Sequence, residues 1–265
     1  MSAMTSDPLH PIERAAFDAW PALHETQHSG WLLRLADGYT KRANSANAIV
    51  TISSLGEPEI SAIESFYRDR GLPAIFRLAS FCTSQAVDDA LADRRYRFAD
   101  MSLVMTRPLT PATQAAHLGP GAALQRPPPL AFETPPESLT DIDAWLGDYQ
   151  SITGAIDVAP PAHRQMLRAI RGETRFLVSR TGGRAVCCGF GVISHRHLGL
   201  FQIATHPGSR GHGLATALCA ALLRWGASRG ADSAFLQVEA ANTPAVRIYE
   251  MLGFRRRYHY WYRIA

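Results

Sequence analysis

The chain has 265 residues, 46% hydrophobic and 19% charged, with a formal net charge of +4, proportions ordinary for a globular protein of one large or two small domains. Its Lys and Arg are scattered, which leaves no nucleic-acid footprint, and no apolar run approaches membrane-spanning length. Cys82, Cys187, Cys188 and Cys219 include no Cys-x-x-Cys pair, so neither a zinc site nor a disulfide framework is indicated.

The N-terminus is polar and lacks an apolar signal region, which predicts a cytoplasmic protein. Trp31-Leu-Leu-Arg-Leu, Ala36-Asp37-Gly38 and Tyr39-Thr-Lys-Arg predict a hairpin closed by an Asp-Gly turn. Ile60, Ile63, Phe66 and Tyr67 mark a helix that stops at Gly71. A strand over residues 74–78, a helix near 84–94 and a strand over 102–106 follow. Residues 107–136 then hold eight of the 17 prolines, including Pro127-Pro128-Pro129 and Pro135-Pro136, and read as a semi-rigid linker. The expected division is a first domain over 1–107, a linker over 108–137 and a second domain over 138–265.

The second part predicts the order α-α-β-β-β-α-β-α-β. Ser138 or Thr140 caps a helix carrying Ile142, Trp145, Leu146 and Tyr149, and another helix follows Pro160-Pro161 and ends near Gly172. Strands over 174–180 and 185–194 flank the turn Thr181-Gly182-Gly183-Arg184, and residues 198–205 form the next strand. Leu214, Leu218, Leu222 and Trp225 recur at helical spacing up to Gly230 as a core stripe. A strand over 234–239, a helix over 244–252 and an aromatic strand over 258–264 complete the chain.

Between the third of these strands and the long helix runs Ile203-Ala-Thr-His-Pro-Gly-Ser-Arg-Gly-His-Gly-Leu-Ala215. The first amides of a helix lack partners and carry the positive end of its dipole, so a strand feeding a helix through glycines makes an anion site. Gly211 and Gly213 admit a phosphate without a Cβ in the way, and Arg210 adds a cation. Three pyrophosphate readings compete. A P-loop needs Gly-Lys-Ser/Thr, which is missing here. A dinucleotide fingerprint fails at its third glycine, where Thr216 stands, and Asp232 precedes the next apolar run instead of ending it. Coenzyme A is the third. Arg210-x-x-Gly213-x-Ala215 is similar to the Arg/Gln-x-x-Gly-x-Gly/Ala signature of the GNAT N-acyltransferase superfamily. Downstream, Asn242-Thr-Pro-Ala245-Val-Arg-Ile-Tyr249-Glu-Met-Leu-Gly253-Phe254 resembles that superfamily's second motif.

The resemblance covers roughly residues 139–265 well and the first hundred weakly. There Tyr67 and Gly71 echo Tyr249 and Gly253, but no glycine signature precedes residue 130. It implies an α/β (α+β) fold: a mixed, mostly antiparallel sheet flanked by helices, with a GNAT-like C-terminal domain and a degenerate GNAT-like first half. It also implies an acetyl-CoA-dependent N-acetyltransferase acting on a primary amine of an unidentified acceptor, small or amino-acid-like, by direct attack on the thioester. In the family the strand before the glycines splays from its neighbour, and the pantetheine arm pairs with its free backbone. Here those positions are Ile203, Ala204 and Thr205. The diphosphate falls on Arg210, Gly211, His212, Gly213, Leu214, Ala215 and Thr216. Asn242 caps its helix or contacts the cofactor, with Ala245 beside it.

Tyr249 stands where the family keeps a general acid for the leaving thiolate, a role that suits a phenol protonated at neutral pH; packing on the sheet is its plainer reading. The general base is less well marked, since Gln202 and Gln237 occupy strand positions where the family commonly has Glu. Glu239, on the face of Gln237, serves as base or relay anchor or is a solvated strand end, and a water chain to bulk is the other route. His195-Arg-His197 lacks a third ligand, so no metal is expected. Some of Tyr258, His259, Tyr260, Trp261 and Tyr262 wall the acceptor pocket, or the strand simply packs as core. The expected partners are acetyl-CoA and an amine, without nucleic acid or membrane, for a monomer or homodimer. A non-catalytic acyl-CoA sensor is the alternative, suggested by the missing strand glutamate.

Overall fold

A computed structural model describes residues 10–109, 136–154 and 161–265. Apart from its ends, the proline-rich linker expected over 108–137 lies outside the described residues. The chain opens with α1 (Pro11–Ala19), β1 (His24–His28), β2 (Trp31–Leu35), β3 (Ala46–Ala48), α2 (Glu57–Arg68), β4 (Ile75–Ala79), α3 (Gln85–Asp93) and β5 (Arg97–Pro108). It continues with β6 (Glu137–Leu139), α4 (Ile142–Thr153), α5 (Pro161–Arg168), β7 (Glu173–Thr181), β8 (Arg184–Ser194) and β9 (His197–Thr205). It closes with α6 (Leu214–Ser228), β10 (Ser233–Glu239), α7 (Thr243–Met251) and β11 (Arg255–Ile264).

Among the described residues one eleven-stranded sheet runs in the order β1-β2-β3-β4-β11-β5-β10-β9-β8-β7-β6. All neighbours are antiparallel except β3 with β4 and β9 with β10. Strands from before and after the proline-rich stretch alternate across its centre, β11 lying between β4 and β5 and β5 between β11 and β10. The two-residue strand period sends alternate side chains to opposite faces. On β7 and β8, Phe176, Val178, Cys188, Phe190 and Val192 meet Trp145 of α4 and Trp20 after α1; Leu177 and Cys187 meet the Leu214–Leu218–Leu222 stripe of α6. All four cysteines are buried and free. No helix among the described residues is long and apolar enough to cross a membrane.

The hairpin expected around Asp37-Gly38 does not form. The tight turn is Ser29-Gly30, between β1 and β2, and β2 pairs onward with β3 through Trp31↔Ala48 and Leu33↔Ala46. Asp37 and Gly38 do turn the chain, with φ of 49° and 77°, but buried Asn44 then captures it. Its Oδ1 accepts from the amides of Ala36 (2.8 Å) and Gly38 (3.0 Å), and its Nδ2 donates to the carbonyls of Tyr39 and Thr40 (both 2.9 Å). These bonds satisfy backbone groups that a strand would have paired, so residues 36–44 stay a loop with one 3-10 turn at Lys41–Ala43. In the second half Asp141, not Ser138 or Thr140, caps α4, accepting from the Asp143 amide at 2.9 Å. Ser138 is drawn instead into β6 beside Leu177.

Three buried charges tie the seam together. Arg77 of β4 grips Glu13 of α1 with two bonds (2.6 and 2.9 Å), both side chains 2% exposed, and Glu13 also accepts from the Tyr258 hydroxyl of β11. Burial opposes ionisation of Glu13, but Arg77 and Tyr258 outweigh it and hold the carboxyl below its usual range. Arg34, fully buried, donates to Glu25 (2.9 Å) and to the carbonyls of Phe17 (3.3 Å), Trp20 (2.7 Å) and Arg42 (3.1 Å). It thereby pins the end of α1 and the loop over 36–44 to one point.

Breaking one partner of a buried pair leaves the other charge uncompensated. Arg77→Met is therefore expected to lower stability by about 3–5 kcal/mol in urea unfolding, with Glu13→Gln in the same chain restoring part of it. A loss no larger than that of a surface pair, about 1 kcal/mol or less, would show that Glu13 does not depend on Arg77.

Candidate active site

Strands β9 and β10 pair in parallel from His197↔Ser233 to Leu200↔Leu236 and then part. On its other side β9 stays paired with β8, through Cys188↔Ala204 and Cys187↔Thr205. Between Phe201 and Ala204 it carries one residue more than β8, a bulge in which Gln202 adopts φ 48°. A left-handed non-glycine residue costs roughly 1 kcal/mol or more and needs compensating contacts. Gln202 has them: its Nε2 donates to the Tyr39 hydroxyl (3.3 Å) and its Oε1 accepts from Nε2 of His163 (3.0 Å). His163, 1% exposed and stacked on Tyr39 at 4.5 Å, is held neutral because burial lowers its pKa.

The gap beyond Leu200 and Leu236 opens into a cleft of about 770 Å³. Ile203, Ala204, Thr205, Arg210, Gly211, Gly213, Leu214, Ala215, Thr216, Asn242 and Ala245 all line it, so the structure brings together most of the residues expected at a diphosphate and its arm. Gly211 and Gly213 have φ of 80° and 75°. Gly213 is the N-cap of α6 and supplies no capping side chain, which leaves the first amides of the helix unsatisfied at the cleft. Arg210 is exposed, its Nε 3.4 Å from the Thr205 carbonyl. His212 lies outside the cleft lining, with Nδ1 3.3 Å from the Ser209 carbonyl. Asn242 caps α7, accepting from the Ala245 amide at 3.3 Å, and lines the cleft as well.

At Ile203, Asn242 and Ala245 the cleft meets a second cavity of about 560 Å³. Tyr249 and Glu239 line this second cavity. Burial raises the pKa of Tyr249, and no described residue hydrogen-bonds its hydroxyl. Its echo in the first half differs: the Tyr67 hydroxyl is bound by β2, accepting from the Arg34 amide (3.3 Å) and donating to the Arg34 carbonyl (3.2 Å). Glu239 is exposed at the end of β10. Of the aromatic last strand, Tyr260 and Tyr262 face the cavity. Tyr258 turns to Glu13, and the Trp261 indole donates to Asp88. The Tyr260 hydroxyl donates to Gln237 Oε1 (3.1 Å), and its ring covers the Arg77 guanidinium at 3.7 Å. Burial disfavours a charged Tyr260, but Arg42 and Arg77 outweigh it and hold its pKa below the ordinary phenol value.

Part of the wall comes from residues not assigned to the site from the sequence: Trp20, the loop residues Tyr39, Thr40, Lys41 and Arg42, and Asp100 and Ser102 of β5. A bulge in β5 gives Asp100 φ 47° and brings it within 2.5 Å of Lys41. The only local signal was Asp37-Gly38, a turn followed by two adjacent cations. His195 and His197 do not converge on a metal: His195 bonds Asp18 (2.7 Å) and His197 bonds Ser233 (2.8 Å). Among the described residues no cluster of three His, Cys, Asp or Glu side chains is set to hold one.

Residues 5–263 match the family described as "Probable histone acetyltransferase Rv0428c C-terminal". The uncharacterized N-acetyltransferase YobR of Bacillus subtilis (strain 168) is 27% identical over 258 residues, spanning 97% of this chain and 99% of its own length. A mycothiol acetyltransferase from Thermobispora bispora is 47% identical over 57 residues, 22% of this chain and 19% of that one. Among solved structures, a GCN5-related N-acetyltransferase from Kribbella flavida aligns with a TM-score of 0.65 at 13% identity, covering 96% of this chain and 93% of its own. A GNAT-family acetyltransferase from Novosphingobium aromaticivorans has the same fold, with a TM-score of 0.56, 18% identity and 96% and 97% coverage.

The neutral His163 couples the site to pH. Its folded pKa lies below the ordinary 6.5, so the stability it gives is complete above pH 6.5 and is lost as pH falls through that value toward the folded pKa. Urea unfolding between pH 7.5 and 5.5 is expected to show that loss, and His163→Gln to flatten it by up to about 1.4 kcal/mol per pH unit. A slope unaffected by the substitution would mean that the ring protonates freely in the fold.

Proposed function

The chain belongs to this family of GNAT-type N-acetyltransferases, and we propose that it moves an acetyl group from acetyl-CoA to a primary amine of a small acceptor by direct attack on the thioester. The observation that carries the reading is the junction at Ile203, Asn242 and Ala245. There a cleft with an uncapped helix N-terminus meets an aromatic cavity lined by Tyr249, whose hydroxyl no described residue hydrogen-bonds. The residues fit the donor. The free amides of Leu214, Ala215 and Thr216, with Arg210 at the mouth, suit a diphosphate, and a Cβ at Gly211 or Gly213 would require a strained backbone. Ile203, Ala204 and Thr205 offer unpaired backbone on the side facing β10, where an extended arm adds like a strand.

When bound, acetyl-CoA supplies an acyl group activated as a thioester. Tyr249 holds a proton at neutral pH, the more firmly because burial raises its pKa, and gives it to the departing sulfur. Glu239, at the cavity's edge, takes the proton that the ammonium must lose, directly or through water. Tyr260 and Gln237, bonded to each other, wall the acceptor side without occupying Tyr249.

Two substitutions test the assignment. Gly213→Val puts a β-branched residue at φ 75° and fills the diphosphate's place, and is expected to abolish acetyl-CoA binding in calorimetry while circular dichroism shows the fold retained. Undiminished affinity would place the donor elsewhere. Tyr249→Phe is expected to slow the chemical step about ten- to a thousandfold, overlapping the range of general-acid effects, with little change in acetyl-CoA affinity. Single-turnover kinetics read this directly, and an unchanged step would assign thiolate protonation to another group or to water.

A further inference from the structure

The loop over 36–44 brings two adjacent cations to the acceptor cavity, and they are in different states. Lys41 is neutralised by Asp100 at 2.5 Å. Arg42 has no carboxylate within ion-pairing distance among the described residues, and its Nε is buried without a hydrogen-bond partner. Arg77 also has an unpaired Nε, but its two terminal nitrogens hold Glu13. The groups beside Arg42 are the phenols of Tyr260 and Tyr262, the Tyr260 hydroxyl within hydrogen-bonding reach of the guanidinium, and neither is a carboxylate. Its backbone is fixed, because its carbonyl accepts from buried Arg34 at 3.1 Å. Arg42 lines the acceptor cavity and not the cleft, so its charge is not taken up by the donor's phosphates.

A guanidinium keeps its charge at any physiological pH, and a sheltered one is costly to leave without an anion. Its planar fork matches a carboxylate through two parallel bonds. Among the described residues lining this cavity, Arg42 is the one cation without a carboxylate partner, which suits a monoanion. We propose that the acceptor is a small amine that also bears a carboxylate, an amino acid or amino-acid-like compound, and that Arg42 binds the carboxylate while the amine reaches the junction at Ile203, Asn242 and Ala245. This rests on the acetyl-transfer reading of the same site. A lysine-rich peptide fits poorly, since it brings ammonium groups and no carboxylate toward Arg42.

The test uses the full chain, acetyl-CoA, a series of α- and ω-amino acids, the matching carboxamides and a lysine-rich peptide, with release of coenzyme A as the readout. The acids are expected to exceed their amides by about ten- to a hundredfold in kcat/KM, the size of a charge-assisted bidentate pair, with the difference in KM. Arg42→Gln is expected to bring the acid-to-amide ratio close to one, and Arg42→Lys to keep part of it. If the Gln variant does not fold, the ratio in the unmodified enzyme decides. Equal turnover of acids and amides, no turnover of any acid, or preference for the basic peptide overturns the proposal. Acetyl-CoA binding, measured in parallel by calorimetry, separates the two readings: its absence overturns the donor assignment, and its presence with any of those outcomes overturns this one alone.

Discussion

Strands β9 and β10 share only four paired positions before they separate, and the site is built in the space between them. Separation does not leave either strand loose. β8 holds β9 as far as Thr205, and β5 holds β10 along its whole length, from Ser233↔Pro108 to Glu239↔Ser102. Each strand therefore has one satisfied edge and one free edge, and the free edges face each other. Inside a protein, unpaired backbone of this kind is tolerated where a ligand or water completes it. The bulge at Gln202 sharpens the divergence, and the bonds from Tyr39 and His163 keep the strained residue in place.

β10 keeps its partner because β5, from the first part of the chain, lies against it, and β5 in turn is held by β11 from the end. The aromatic cavity beside the gap inherits this interleaving. Its walls come from the end of α1, the loop over 36–44, β5, β9, β10, α7 and β11, elements spread over most of the sequence. Buried ionic bonds hold them in register. Arg34 joins the end of α1 to the loop, and Arg77 joins α1 to β4 while supporting the ring of Tyr260. Such pairs add little net stability compared with apolar packing, but an unpartnered charge is costly enough to exclude competing arrangements. We read them as what positions the wall.

The two tyrosines that follow the same Tyr-x-x-x-Gly spacing show how one pattern serves two ends. Tyr67 is fully buried with its hydroxyl bonded to the backbone of β2, so it has no proton to offer a ligand. Tyr249 lines the cavity, packs its ring against Phe254, and has no hydrogen bond to its hydroxyl from any described residue. The difference lies in what faces each helix: a paired strand in one half, a gap between strands in the other.

The sequence by itself determined the elements of the second half from α4 onward, though not β6 or the Asp141 cap, together with the glycine entry to α6 and the Tyr249 motif. These are local: a period of two or 3.6 residues, a proline or glycine at a boundary, and a helix N-terminus within thirteen residues of its strand all act over short separations. It misplaced the first hairpin, because Asn44 pulls residues 36–44 into a loop through bonds that no propensity encodes. Only the tertiary structure decided that Tyr260 and Tyr262, not Tyr258, face the cavity, since that depends on where β11 enters the sheet. Only it brought Lys41, Arg42 and Asp100 to the same wall as Tyr249, more than 140 residues away in the chain. Contacts over that separation are set by strand order and by which buried charges find partners, and a single sequence carries no local signal for either.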